Sequence, residues 1–311
     1  MRIVFFGSPP AALPSFQRLL EAGHAVELAV TQPDKPAGRG KAVAPPPVKE
    51  FALTRGIPVF QPEKIRRDEK AIEVIRKISP DVNVVVAYGQ IIPGSIIYLP
   101  RFRSINVHFS LLPKYRGAAP VEWAILNGET KTGVTIFELN EKMDEGDILA
   151  VEEVDILPRE TAPELEARLA RLGAELLVKT LDQIDYLPRS AQDHTRASSA
   201  PRLRKEDGKI DWTKDALTVE RMVRAFSGWP GVFTTFRGQR ILIRAGKKIN
   251  QAAASGFVPG QVIEIKKEGL VIGCSQGSLF LVERLQRENK KEMEASAFLR
   301  GLQIEPGDIF S

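Results

Sequence analysis

The chemistry this sequence can do is concentrated in one short stretch. In NVHFSLLPKYRG, residues 106–117, an amide and an imidazole stand two positions apart, Asn106 and His108, just before a turn through Pro113. If residues 104–108 form a strand, the two side chains share a face and Val107 points into the sheet. An amide N–H donates to an oxygen that is gaining negative charge. An imidazole, with a reference pKa of ~6.5, gives or takes a proton near neutrality. Side by side at a strand end, the two make the minimum set for acyl transfer through a tetrahedral oxyanion. Residue type alone does not establish this, because a histidine closing a strand is more often structural. The chain has three histidines in all.

A carboxylate to orient the ring or activate a nucleophile is the missing member. EKMDEGDIL offers Asp144 and Asp147 in a glycine-containing turn before a strand. Acids in such turns commonly form the turn itself, and spacing does not choose between the two. Ser110, two residues beyond His108 on a strand, would not easily reach the ring as a nucleophile. There is no G-x-S-x-G elbow, no H-E-x-x-H pair and no Walker A loop. No cluster of metal ligands is visible, so no metal is expected.

Two basic features stand apart from this stretch. TQPDKPAGRGK, Thr31–Lys41, follows a strand and holds Lys35, Arg39 and Lys41 among prolines and glycines. It reads as a surface loop able to clamp an anionic partner through Arg39. Residues 201–311 carry 19 Lys+Arg against 13 Asp+Glu, whereas residues 1–200 carry 25 against 26. From Arg221 to Ile263 there is no acid, against seven bases: Arg221, Arg224, Arg237, Arg240, Arg244, Lys247 and Lys248. A charge run is usually a solvated face. One this long without an acid also fits a polyanion-binding surface.

The elements that must position these residues follow from periodicity. Strands are expected at Ile3–Phe6, Ala25–Thr31, Val82–Ala87 and Ser104–His108, with helices at Pro14–Ala22, Pro47–Arg55 and Asp68–Ile78. The run VNVVVA suits a strand buried on both faces of a parallel sheet. Strands alternating with helices imply an α/β class, a Rossmann-like doubly wound parallel sheet. Ligands in such sheets bind at the carboxyl ends of the strands, where Asn106 and His108 fall. The first turn, GSPPAALP, lacks the G-x-G-x-x-G glycines, so no dinucleotide is inferred. Further on come a helix at Pro120–Asn127, strands at Gly133–Leu139 and Ile148–Val154, and a long helix at Ala162–Ile184 with a leucine stripe. The polar stretch Leu187–Lys205 reads as a connection. Short β-type runs follow, at Val232–Phe236, Arg240–Arg244, Gln261–Ile265, Leu270–Ile272 and Leu279–Val282, and suggest a small β-barrel or sandwich. The expected division is 1–189 catalytic, 190–206 linker and 207–311 C-terminal. A single cysteine, Cys274, excludes an internal disulfide and suits a reducing cytoplasm. No apolar run approaches the ~20 residues of a membrane span.

NVHFSLLPKYRG resembles the signature of the folate-dependent formyltransferases. VTQPDKPAGRGK, PVKEFA, GIPVFQPEKI, VVVAYGQIIP, RGAAPVEWAILNGETKTGVTI and GKIDWTKDA are similar to the tRNA-directed branch of that family. The resemblance implies transfer of a formyl group from the co-substrate 10-formyltetrahydrofolate to the α-amine of methionyl initiator tRNA, for translation initiation. A family member acting on an amino-sugar nucleotide or other small amine, or a 10-formyltetrahydrofolate hydrolase, is the alternative. It assigns the catalytic trio to Asn106, His108 and Asp144. It places folate against Ser110, Leu111, Leu112, Pro113, Tyr88 and Gly89. It gives the loop with Lys35, Arg39 and Lys41 to tRNA, and implies an OB-like β-barrel C-terminal domain that contacts tRNA through the basic run. A monomer is expected. The sequence departs from the family pattern at GSPP, at Phe109, which is bulky where a small residue or proline is common, and at Ser227–Gly228.

Overall fold

A computed structural model describes residues 1–37, 42–251 and 256–311. The chain forms two compact units. The first comprises Met1–Pro120, Lys131–Asp155 and Glu166–Pro201, and the second Val121–Thr130, Ile156–Leu165 and Arg202–Ser311.

The strands of the first unit are β1 (Arg2–Gly7), β2 (Ala25–Val30), β3 (Lys35–Ala37), β4 (Ala42–Ala44), β5 (Val59–Phe60), β6 (Val82–Val86), β7 (Ser104–His108), β8 (Arg116–Gly117), β9 (Lys131–Glu138), β10 (Ile148–Asp155) and β11 (Ser199–Ala200). Its helices are α1 (Leu13–Glu21), α2 (Pro47–Thr54), α3 (Glu69–Ile78) and α4 (Gly94–Ile97). Two more, α5 (Pro120–Leu126) and α6 (Ala162–Asp182), straddle the division of the chain. Seven strands make the main sheet, in the order β10-β9-β7-β6-β1-β2-β5. The run from β7 to β5 is parallel throughout, while β9 is antiparallel to β7 and β10 to β9. This is the Rossmann-like α/β arrangement that the alternating pattern implies. The hairpin β3–β4 and the two-residue β5 carry too few residues to show a period.

All five residues of β6 are buried, including Asn83. The Asn83 amide donates to Ser104 Oγ at 2.9 Å and to the Ile96 carbonyl at 3.1 Å, and Ser104 Oγ donates to the Ile97 carbonyl at 3.0 Å. One polar side chain in an otherwise apolar strand thus ties the start of β7 to the end of α4. On the other side of the sheet α6 presses on β7 and β9 at a glycine. A Cβ on Gly173 would lie 2.7 Å from Val107 Cγ1 and 3.2 Å from Val134 Cγ1. Phe109 sits on this same side, buried 3.6 Å from that position, so its bulk is accommodated behind the strand.

The second unit is built on an antiparallel sheet. Its strands are β12 (Val232–Phe236), β13 (Gln239–Ile249), β14 (Val262–Ile265), β15 (Leu270–Gly273), β16 (Leu279–Arg287) and β17 (Met293–Glu294). They run in the order β12-β13-β16-β15-β14, with β17 also on β16. Helices α7 (Ala216–Ala225) and α8 (Ala295–Gly301) complete it. Alternate residues of β12 are buried, as a half-covered sheet requires. Asp215 caps α7 by accepting from the backbone N–H groups of Leu217 and Thr218 at 2.9 and 3.1 Å.

Residues 190–200, which composition marks as a connection, belong to the first unit. Ser190 bridges to Ile148, and β11 pairs in parallel with β8. Their polarity reflects a strap laid along the unit and hydrogen-bonded to it through both backbone and side chains.

A Gly173→Val variant should lose about 1–3 kcal/mol of stability, the usual cost of overpacking a filled core. Urea unfolding of the full chain measures it, and an unchanged midpoint would show that α6 does not rest on β7 at this point.

Candidate active site

Asn106 and His108 lie on one face of β7, opposite Val107, at the carboxyl end of the parallel sheet. Asn106 is half-buried, and its carboxamide has no hydrogen-bond partner among the described residues. His108 is 6% exposed. Its Nε2 lies 2.9 Å from the carbonyl oxygen of Tyr115. A carbonyl only accepts, so Nε2 carries the proton and donates it there. That fixes the tautomer: in the neutral ring Nδ1 is bare. Nδ1 faces Asp144 Oδ2 at 3.8 Å. The edge of the ring packs against Phe137, with ring centroids 6.3 Å apart and planes at 86°.

The turn that brings Tyr115 back onto His108 is closed from within. Ser110 Oγ donates to the Lys114 carbonyl at 2.7 Å. Thr135 Oγ1, from β9, donates to the Ser110 carbonyl at 2.7 Å and accepts from the Leu112 N–H at 3.1 Å. The Leu112–Pro113 peptide is cis. Ser110 is fully buried and its hydroxyl is committed to the turn, so it is no nucleophile.

Asp144 lies in the loop between β9 and β10, with φ at +53°. Aspartate tolerates this left-handed conformation better than most residues. Its Oδ2 accepts from the Gly117 backbone N–H at 2.7 Å. Asp147, the other aspartate in the turn, is exposed, and its backbone carbonyl accepts from the Glu138 N–H at 2.9 Å. The loop comes back close at Gly146, where a Cβ would sit 1.7 Å from the Glu138 carbonyl oxygen. Three groups therefore hold His108 and Asp144: the Tyr115 carbonyl, the Gly117 N–H and the glycine at 146. The two glycines leave a trace in residue type, and the Tyr115 carbonyl leaves none.

The remaining residues expected at the site are placed as follows. Leu112 is buried, Leu111 and Pro113 half-buried, and Leu111 packs over Gly133. Tyr88 has its ring in the core, edge-on to Phe6 with centroids 5.5 Å apart. Burial pushes the Tyr88 phenol above its ordinary range, and its hydroxyl has no partner among the described residues. Its carbonyl accepts from the Gln32 amide at 3.1 Å, and the neighbouring Gly89 is exposed. Lys35 is exposed and donates to Gln32 Oε1 at 3.2 Å. Arg39 and Lys41 lie outside the described residues. Among the described residues no group of three or more His, Cys, Asp or Glu side chains could hold a metal ion. No described helix is long and apolar enough to cross a membrane.

The acid-free run is not acid-free in space. Arg237 pairs with Asp308 at 3.2 Å, Arg240 with Glu288 at 3.9 Å and Lys247 with Glu283 at 2.9 Å. Arg224 pairs with Glu220 at 4.0 Å and donates to the Glu160 carbonyl, while burial lowers its pKa. Arg244 donates twice to Gln286 Oε1, at 2.8 and 2.6 Å. Arg221 lies over Gly128, and Lys248 is exposed; neither forms an ion pair among the described residues.

Comparison with known proteins places the chain in a family. The family described as "Formyl transferase" matches residues 1–181, and "Formyl transferase, C-terminal domain" matches residues 202–303. The methionyl-tRNA formyltransferase of Geobacter metallireducens is 44% identical over 309 residues, covering 99% of this chain and 97% of its own. That of Geotalea uraniireducens is 46% identical over 311 residues, covering 99% and 97%. The chain belongs to the methionyl-tRNA formyltransferase family. Among solved structures, HypX from Aquifex aeolicus in complex with tetrahydrofolic acid superposes with a TM-score of 0.67 at 18% identity, covering all of this chain and 50% of that one. The N-formyltransferase from Helicobacter canadensis, in complex with folinic acid and dTDP-3-aminofucose, gives 0.65 at 19% identity, covering 92% and 98%. At these identities the likeness is one of fold.

Nitrogen-15 NMR of the histidines should find neutral His108 protonated at Nε2 with Nδ1 bare. A neutral ring protonated at Nδ1 would contradict the hydrogen bond to Tyr115.

Proposed function

We propose that this protein transfers the formyl group of 10-formyltetrahydrofolate to the α-amino group of methionyl initiator tRNA. Full-length similarity to methionyl-tRNA formyltransferases supports the reaction. The observation that carries the mechanism is the convergence of Asn106, His108 and Asp144 at the end of β7.

A free α-amine has a pKa of ~8, so a useful fraction is neutral at pH 7 and can attack the formyl carbon. The new C–N bond converts the formyl oxygen to an oxyanion and leaves the attacking nitrogen positively charged. The uncommitted Asn106 amide is free to donate to that oxyanion, a type of contact worth ~3–4 kcal/mol. The Tyr115 carbonyl occupies the Nε2–H of His108, so the ring works through Nδ1. Nδ1 takes a proton from the attacking nitrogen, directly or through water, and the Asp144 carboxylate faces the cation so formed. The same proton passes to N10 of the folate as the C–N10 bond breaks. The products are the formamide and tetrahydrofolate, and His108 returns neutral.

Around the reacting groups, Leu111, Leu112 and Pro113, with the backbone of Tyr88 and Gly89, are the proposed folate contacts; Ser110, expected among them, is fully buried and bonded within the turn, so it offers folate no surface. Lys35, Arg39 and Lys41 are proposed to meet the tRNA, together with Arg221 and Lys248. The ion pairs of Arg224, Arg237, Arg240 and Lys247 must open or be shared for these side chains to meet phosphate.

Purified protein mixed with 10-formyltetrahydrofolate and charged methionyl initiator tRNA should yield formyl-methionyl-tRNA. Release of free formate without tRNA would instead support a hydrolase. Asn106→Ala should lower kcat about 10²- to 10³-fold with folate affinity unchanged, since it removes an oxyanion donor; a kcat within a few-fold of the parent contradicts that role. Arg39→Ala should raise KM for the tRNA and leave that for folate alone, and an unchanged tRNA KM would dispose of the clamp.

A further inference from the structure

The loop that carries Asp144 has no ladder of its own, and one buried side chain from a distant part of the sequence grips it. Gln192 is 6% exposed. Its amide group donates to two carbonyls of the loop at once, to Asp144 at 2.9 Å and to Gly146 at 2.8 Å. Its Oε1 accepts from Arg116, at 3.1 Å from Nε and 2.7 Å from the terminal nitrogen. Arg116 in turn reaches Glu145 at 3.4 Å, between the two gripped carbonyls, and donates to His194 Nδ1 at 3.2 Å. Every polar atom of the Gln192 side chain is thereby used, and a planar amide saturated in this way has one orientation. The neighbouring residue Gly117 supplies the N–H that holds the Asp144 carboxylate.

We propose that Gln192 is a positioning residue for formyl transfer. It fixes the backbone on both sides of Glu145 so that Asp144 Oδ2 faces His108 Nδ1, with Arg116 holding the amide in its donating orientation. The inference rests on the role given to Asp144 above. It makes the strap at residues 190–200 part of the catalytic apparatus. The chemistry accounts for glutamine here: the position needs two donors toward the loop and an acceptor toward the arginine. Glutamate would keep the contact with Arg116 but turn an oxygen on two carbonyls.

The test is a double-mutant cycle on the full chain, reading kcat and KM for formyl transfer to methionyl-tRNA. Gln192→Ala should lower kcat by about 10- to 100-fold, the scale of an ångström-sized misplacement of a reacting group, and leave KM for both substrates within about two-fold. Gln192→Glu should be impaired to a similar degree, although it preserves size and the link to Arg116. It serves as the second variant should the alanine protein fold poorly. In an Asp144→Asn background either change should alter kcat by less than about two-fold, because the group being positioned is already lost. Near-parental kcat in both Gln192 variants, or the same fold-loss in the Asp144→Asn background as in the parent, would overturn the inference. If Asp144→Asn itself leaves kcat unchanged, the failure lies in the assignment of Asp144.

Discussion

His108 has two ring nitrogens, and the fold leaves only one for substrate. The bond from Nε2 to the Tyr115 carbonyl occupies that nitrogen, so in the proposed mechanism Nδ1 does the chemistry and a carboxylate must stand beside it to be useful. A neutral ring held this way is an acceptor at Nδ1 and becomes a donor only after gaining a proton. In the proposed mechanism the carboxylate 3.8 Å away faces the cation formed when Nδ1 takes a proton. Much of the local structure serves this one bond. The turn from Ser110 to Lys114 doubles the chain back, Thr135 clips the turn to β9, and Gly173 lets α6 support β7 from behind.

The carboxylate is held differently. Asn106 and His108 ride on an inner strand of a seven-stranded sheet, Asn106 paired with Val85 of β6 and Phe137 of β9, and His108 with Thr135 of β9. Asp144 rides on a loop and depends on separate contacts: the Gly117 N–H, the Gln192 amide and the close return at Gly146. Sites spread over a rigid strand and a mobile type of element lose precision first at the loop. That is where the chain places the side-chain cluster of Arg116, Gln192, Glu145 and His194.

The sequence made some of this legible and hid the rest, for physical reasons. β7 spans Ser104–His108 as its pattern implies, and the buried run of β6 is visible because a strand covered on both faces must be apolar. Which aspartate of the turn faces His108 is set by the path of the loop, which spacing does not encode: Asp144 Oδ2 lies 3.8 Å from Nδ1, and Asp147 is exposed. Gln192 was invisible because the two loop groups it grips are backbone carbonyls, the same in every residue, and because the polar strap that carries it has the composition of a linker. The basic run was misleading in a different way. A window without acids shows only neighbours along the chain, and Glu220, Glu283, Glu288 and Asp308 meet its cations from outside the window. Family likeness then identifies a tRNA-directed enzyme that the charge count alone only suggests.

The central claim is that His108 and Asp144 act as one proton-handling unit through Nδ1. Single-turnover rates of formyl transfer, with enzyme and 10-formyltetrahydrofolate in excess over methionyl-tRNA, test it in His108→Ala, Asp144→Asn and the double variant. The account predicts that the double variant is no slower than the slower single variant. Losses that multiply would mean that the ring and the carboxylate work independently, and would contradict it.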